Sequence, residues 1–142
     1  GGNDALMQEG FLTGPAGSTA QVLLTLSAIA SRFRAAYRSL LSDLASLELP
    51  LTVCTIYDPS WDDTEQVAAA ATALSSFNDV IIREASLEGF DILDVRRIFT
   101  TPPDYANPIE PSVVGGKKLA AAICDLVLAN EAQRGLRATI WP

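Results

Sequence analysis

The sequence predicts an α/β domain built on a parallel sheet, and three observations predict it. Two long stretches, 18–49 and 63–88, repeat apolar residues at threes and fours, the period of a helix with one buried face. Two short runs rich in apolar and β-branched residues, 51–56 and 91–99, follow those stretches and read as buried strands. A third helical stretch closes the series, so helix and strand alternate, with connections long enough to join parallel neighbours right-handedly.

Taken in order, Gly1-Gly2-Asn3-Asp4 opens the chain, and Gly14, Pro15 and Gly17 punctuate a loop. Ser18 with Gln21 has the spacing of a capping box and starts a long helix. Its stripe is Val22, Leu26, Ile29, Phe33, Tyr37, Leu40, Leu44 and Leu47, with Arg32, Arg34, Arg38 and Asp43 on the other side. It runs until Pro50, roughly 40 Å at the helical rise per residue. Leu51–Ile56 is the first strand, and Tyr57 to Trp61 form the loop beyond it. Asp63 with Gln66 repeats the capping arrangement for a second helix, faced by Val67, Ala70, Leu74, Phe77, Ile81 and Ala85 and ended by Gly89.

Within Asp91–Phe99, Ile92, Leu93 and Val95 are the expected buried part of the second strand. Four prolines between Thr100 and Pro111 argue for an irregular loop. The last helix starts at about Ser112, with Pro111 suited to its first turn and Leu119, Ala122, Ile123, Leu126 and Val127 facing inward. The tail 135–142 has no period, although Ile140 and Trp141 could fold back onto apolar surface. Two strands make a poor sheet, and parallel sheets are normally covered on both faces. Further strands are therefore expected before residue 1, and the open sheet edge is expected to favour self-association.

Composition sets the bounds. A chain of 142 residues, 49% hydrophobic and 19% charged, fits a single domain over 1–142 with a real core. A formal charge of −7 repels phosphate backbones, so nucleic acid is not an expected partner. No span or signal segment is visible, and the expectation is a soluble domain with a lean to the cytoplasm. Cys54 and Cys124 give no disulfide framework and no metal spacing, and read as buried free thiols. Asp58, Asp62, Asp63 and Glu65 cluster without the loop spacing of a calcium site. No metal and no cofactor is expected. Lys117 and Lys118 read as solvated helix charges.

Gly1-Gly2-Asn3-Asp4 resembles the Gly-x-Asn-Asp block of SGNH/GDSL-type hydrolases, a family of flavodoxin-like three-layer α/β esterases and lipases. Asn78–Ala85 and then Asp91–Asp94 resemble the helix and strand that lead to the last block of that family. Asn107-Pro108-Ile109-Glu110-Pro111-Ser112, followed by Gly115 and Gly116, sits where the family has Asp-x-x-His-Pro and a helix. The Ser-bearing first block and the block with an oxyanion Gly have no counterpart and would lie before residue 1. The resemblance implies the C-terminal portion of a carboxylic ester hydrolase, with a small-molecule ester as substrate and a Ser nucleophile supplied upstream. It assigns Asn3 to the oxyanion, Glu110 and Asn107 to the places of His and Asp, and Gly2 to substrate contact.

The chemistry of these positions can be weighed separately. Acyl transfer puts charge on the former carbonyl oxygen, where one preorganised amide donor is worth about 2.7–4 kcal/mol. Asp4 reads as a cap that holds Asn3 in position. The chain contains no His. A carboxylate, with a reference pKa of about 4.3 against about 6.5 for imidazole, is a weaker base. Asn107 beside Glu110 is a consistent pair, because an amide can donate to a carboxylate that an Asp would repel.

Glu110 thus has three readings: a loop-ordering residue, an unusual general base, or a recognition group for a cationic or hydroxyl-bearing ligand. Gly115 and Gly116 let the Pro-rich loop lie close on the helix in all three. Tyr57 and Trp61 stand at the carboxyl end of their strand, the usual ligand position in such sheets. Alone, the chain has no activated nucleophile and should be inactive. The alternative is a non-catalytic relative that binds a small molecule or a protein partner.

Overall fold

The computed structural model describes residues 1–15, 17–132 and 140–141. Its helices are α1 (Gly2–Leu6), α2 (Gly10–Thr13), α3 (Thr19–Ala45), α4 (Thr64–Glu88) and α5 (Val113–Ala132). Strands β1 (Thr52–Cys54), β2 (Asp91–Leu93) and β5 (Ile140–Trp141) form a parallel sheet in the order β1-β2-β5. Strands β3 (Tyr105–Asn107) and β4 (Glu110–Pro111) form a separate antiparallel hairpin. The class is α/β with a small parallel sheet.

Local chemistry accounts for the ends of the long helices. Ser18 Oγ accepts from the Gln21 amide at the start of α3, and Asp63 Oδ1 accepts from the Glu65 and Gln66 amides at the start of α4. Gly89 closes α4 with φ of 77°, a left-handed conformation that side chains resist. α3 stops at Ala45, before Pro50, and its buried stripe runs through Ile29, Phe33 and Leu41. Leu40 and Leu47, expected on that stripe, are half-exposed. Leu40 lies one position off the side that carries Tyr37 and Leu41, and Leu47 lies past the end of α3.

α3 and α4 pack on β1 and β2. Ile29 and Phe33 meet Phe77, Val80 and Ile81, while Leu41 meets Ala85, Phe90 and Ile92. Arg34 and Arg38, expected on the solvent side, reach across to buried Glu84, with Arg38 Nε 2.7 Å and Arg34 Nε 3.5 Å from its carboxylate. α5 packs through Leu126 against Leu93, Val95 and Phe99. Leu119 and Ala122 pack on the same cluster, whereas Ile123 and Val127, expected to face inward with them, are exposed.

Four further expectations are corrected. Residues 140–141 form a third strand beside β2. The Pro-rich segment is ordered into a short helical turn at Pro102–Asp104 and the hairpin, since its prolines fall at a turn start or on a strand with no inner ladder to supply. Pro111 lies in β4, and Ser112 caps α5, its Oγ accepting from the Val114 and Gly115 amides. Both cysteines are exposed rather than buried. Among the described residues no helix is long and apolar enough to cross a membrane.

Candidate functional site

A cavity of about 510 Å³ lies at the carboxyl end of β1 between α1, α2, α3, α4 and the hairpin. Its wall is mostly apolar, with Phe11, Leu26, Ile29, Leu74 and Phe77 from the helices and Ile56 from the strand extension. A cavity of this size, apolar with a few polar groups, has the character of a small-molecule site.

Five of the site residues expected from the sequence line it directly. Gly2 and Asn3 come from α1, and Tyr57 and Trp61 from the loop after β1. Glu110 joins them from the hairpin. α1 is a single turn, with the Gly1 carbonyl accepting from the Asp4 and Ala5 amides at 3.1 and 3.2 Å, and Asp4 accepting from the Gly1 nitrogen. Ala5 and Phe11 pack on the Ile29 and Phe77 cluster, which seats this turn on the domain. Asn107 is outside the cavity wall but holds Glu110. Its Nδ2 donates to Glu110 Oε2 at 2.6 Å, and its Oδ1 accepts from the Ile109 and Glu110 amides, each at 3.0 Å. One amide side chain therefore shapes the turn and orients the carboxylate.

Residues that the sequence did not mark position this wall. Asn78, 1% exposed, brackets Ile56: its Oδ1 accepts from the Ile56 amide at 2.7 Å and its Nδ2 donates to the Ile56 carbonyl at 2.9 Å. The signal was a polar residue beside Phe77 on an apolar helix face. Thr55 Oγ donates to Asp94 at 2.8 Å and accepts from the Val95 amide at 3.0 Å, which ties together the ends of β1 and β2. The Arg96 guanidinium forks onto Asp94 and holds its carboxyl below the usual range.

The loop after β1 is fastened to the hairpin. Tyr57 donates to the Ile109 carbonyl at 2.8 Å, Tyr105 donates to the Asp58 carbonyl at 2.9 Å, and the Ser60 amide donates to the Pro108 carbonyl at 2.8 Å. Tyr57, Phe99 and Tyr105 pack as an aromatic group, with Tyr57 and Phe99 ring centres 4.7 Å apart. Burial, with the Glu110 charge second, pushes the Tyr57 phenol up, so it remains a donor at neutral pH. Cys54 opens onto the cavity, yet the surrounding protein still pushes its thiol up and makes it a poor nucleophile.

Gly115 and Gly116 separate in role. A Cβ on Gly115 would stand 2.2 Å from the Asp104 carbonyl oxygen and 2.4 Å from Phe99 Cε1, whereas one on Gly116 meets nothing within 4 Å. Among the described residues no group of three or more His, Cys, Asp or Glu side chains is placed to hold a metal ion. Asp63, from the acidic cluster, serves as the α4 cap.

Neither protein-family models, nor curated proteins, nor solved structures match this chain.

Proposed function

We propose that this chain forms the oxyanion and acid side of an SGNH/GDSL-type carboxylic ester hydrolase cleft within a flavodoxin-like three-layer domain. The nucleophilic Ser comes from outside these 142 residues, and the chain alone is inactive. The observation that carries this reading is that Asn3 and Glu110, distant in sequence, line one cavity. In the reaction, the Ser oxygen attacks the ester carbonyl carbon while its proton passes to the Glu110 carboxylate. The carbonyl oxygen takes the electron pair and is stabilised by the Asn3 amide. The tetrahedral intermediate then collapses, and the alcohol leaves with the proton returned from Glu110. Asn107 keeps the carboxylate aimed, as the Asp of a triad keeps its imidazole.

The sheet edge is consistent with further strands beside β1. Leu51 O accepts from Asp91 N and Thr55 N donates to Leu93 O, so odd-numbered residues of β1 bond toward β2. Thr52 and Cys54 then direct their backbone groups to the open edge, which is also the surface for self-association.

A second reading, non-catalytic binding of a small apolar molecule, is favoured by the absence of any His in the chain and by the apolar wall. The discriminating experiment joins this chain to the coding sequence preceding Gly1 and searches that segment for Gly-Asp-Ser. Turnover of a nitrophenyl ester by the joined protein, reduced about a hundredfold by Asn3→Ala and strongly by Glu110→Gln, supports the hydrolase. A joined protein without turnover, or one indifferent to both substitutions, leaves only binding.

A further inference from the structure

We infer that the cavity at the carboxyl end of β1 takes a small molecule with an apolar body and a cationic head. This names the ligand class of the cleft proposed above and rests on that cleft, but it is read by binding and not by turnover.

Charge is the first element. Among the described residues, the charged side chains lining the cavity are Glu9 and Glu110, no Lys or Arg lines it, and the Gly1 ammonium that also lines it is paired with Asp4. The basic side chains near other acids are already paired: Arg34 and Arg38 on Glu84, Arg83 on Asp79, Arg96 on Asp94 and Lys118 on Asp104. Glu9 and Glu110 form no such pair among the described residues. Asn107 fixes the Glu110 carboxylate with a hydrogen bond that neutralises none of its charge.

The second element is the aromatic wall. Tyr57, Trp61, Phe11 and Phe77 line the same space. The Tyr57 hydroxyl is engaged by the Ile109 carbonyl, so the residue offers the cavity mainly its ring. Aromatic faces attract ammonium groups and add to the attraction of the carboxylates. The apolar wall takes the rest of the ligand, since burying each methylene contributes about 0.8 kcal/mol. An apolar molecule ending in a carboxylate would meet two like charges instead, and the formal charge of −7 opposes its approach as well.

The test is a calorimetric titration of the 142-residue chain with octyltrimethylammonium, octanol and octanoate, which share one apolar body. The expected result is one-to-one binding of the ammonium probe at least about tenfold tighter than octanoate, with octanol between, the preference shrinking as salt is raised. In a Glu9→Gln/Glu110→Gln double variant, whose two sites are exposed, the ammonium and octanoate affinities converge to within about threefold. The salt series on the unaltered chain checks the same point without any substitution. Octanoate binding as tightly as the ammonium probe, an ammonium preference that survives the double substitution, or no saturable binding of any probe overturns the inference. Selective ammonium binding without ester turnover in the joined protein removes the hydrolase reading and leaves this one standing.

Discussion

Lys118 Nζ lies 2.7 Å from Asp104 Oδ1, a carboxylate with no exposed surface. This pair joins α5 to the turn that leads into the hairpin, and so fixes the segment that carries Glu110. Asp104 Oδ2 also accepts from the Thr100 and Thr101 amides and the Thr101 hydroxyl. Lys118, expected in the sequence to be a solvated charge, is in fact structural. Its partner stands 14 positions earlier in the chain, outside α5, where no local pattern identifies it.

The first prediction concerns acid stability. Lys118, with help from Thr101 and Thr100, lowers the Asp104 pKa to about 2 from an ordinary 3.8. Arg38 likewise lowers Glu84, and Arg96 lowers Asp94. A depressed carboxylate contributes stability that is complete above its unfolded pKa and lost as pH falls through its folded one. Urea midpoints should therefore hold level above about pH 5 and fall steeply between about pH 4 and 2. Asp104→Asn should lower the neutral midpoint and flatten that acid limb. An unchanged slope in the variant would show that the pair is not what titrates.

The two adjacent glycines should respond in opposite directions. Gly115→Ala drives a methyl group into the Asp104 carbonyl and the Phe99 ring, and overpacking of this kind costs about 1–3 kcal/mol. Gly116→Ala adds a methyl group in open space within a helix, which should stabilise by about 0.5–1 kcal/mol. Paired chemical melts read the difference directly. Equal effects would mean that α5 does not sit against the Asp104 turn.

Asn78 should be intolerant of an isosteric apolar residue. Asn78→Leu leaves the Ile56 amide and carbonyl without their side-chain partner, at a cost of about 1–3 kcal/mol. Asn78→Asp is expected to be worse, because a carboxylate then faces the Ile56 carbonyl. Thermal unfolding ranks the three proteins, and a ranking in which Leu is neutral would remove the clamp from the account.

The β1 edge gives a register-specific test. Thr52→Pro removes a donor that faces the open edge and should reduce concentration-dependent self-association in sedimentation runs, with little change in melting temperature. Val53→Pro removes a donor that faces β2 and should unfold the sheet instead. If both variants behave alike, the open edge has been placed on the wrong side of the strand.

Local chemistry made much of the fold legible. Asp63 and Gly89 mark both ends of α4, and Ile92 and Leu93 mark a buried strand, because capping and burial act on neighbouring residues. For the site, the Asn107 and Glu110 pairing was readable at a spacing of three, since an amide and a carboxylate in one turn have few other partners. The Ile140–Trp141 strand was not readable, because two residues have no period and their pairing depends on β2 being already in place. The hairpin was hidden by its own prolines, whose tolerance on a two-stranded ladder is a property of the partner strand.

The helices, the two central strands, the acidic balance and the residue types available for chemistry follow from short-range periodicity and composition. That Asn3 and Glu110 line one cavity, that Lys118 neutralises Asp104 and that Asn78 clamps Ile56 depends on how the helices settle on the sheet. These juxtapositions involve residues 14 to 107 positions apart in the chain. Packing around the sheet selects them, and no local pattern in the chain encodes that choice.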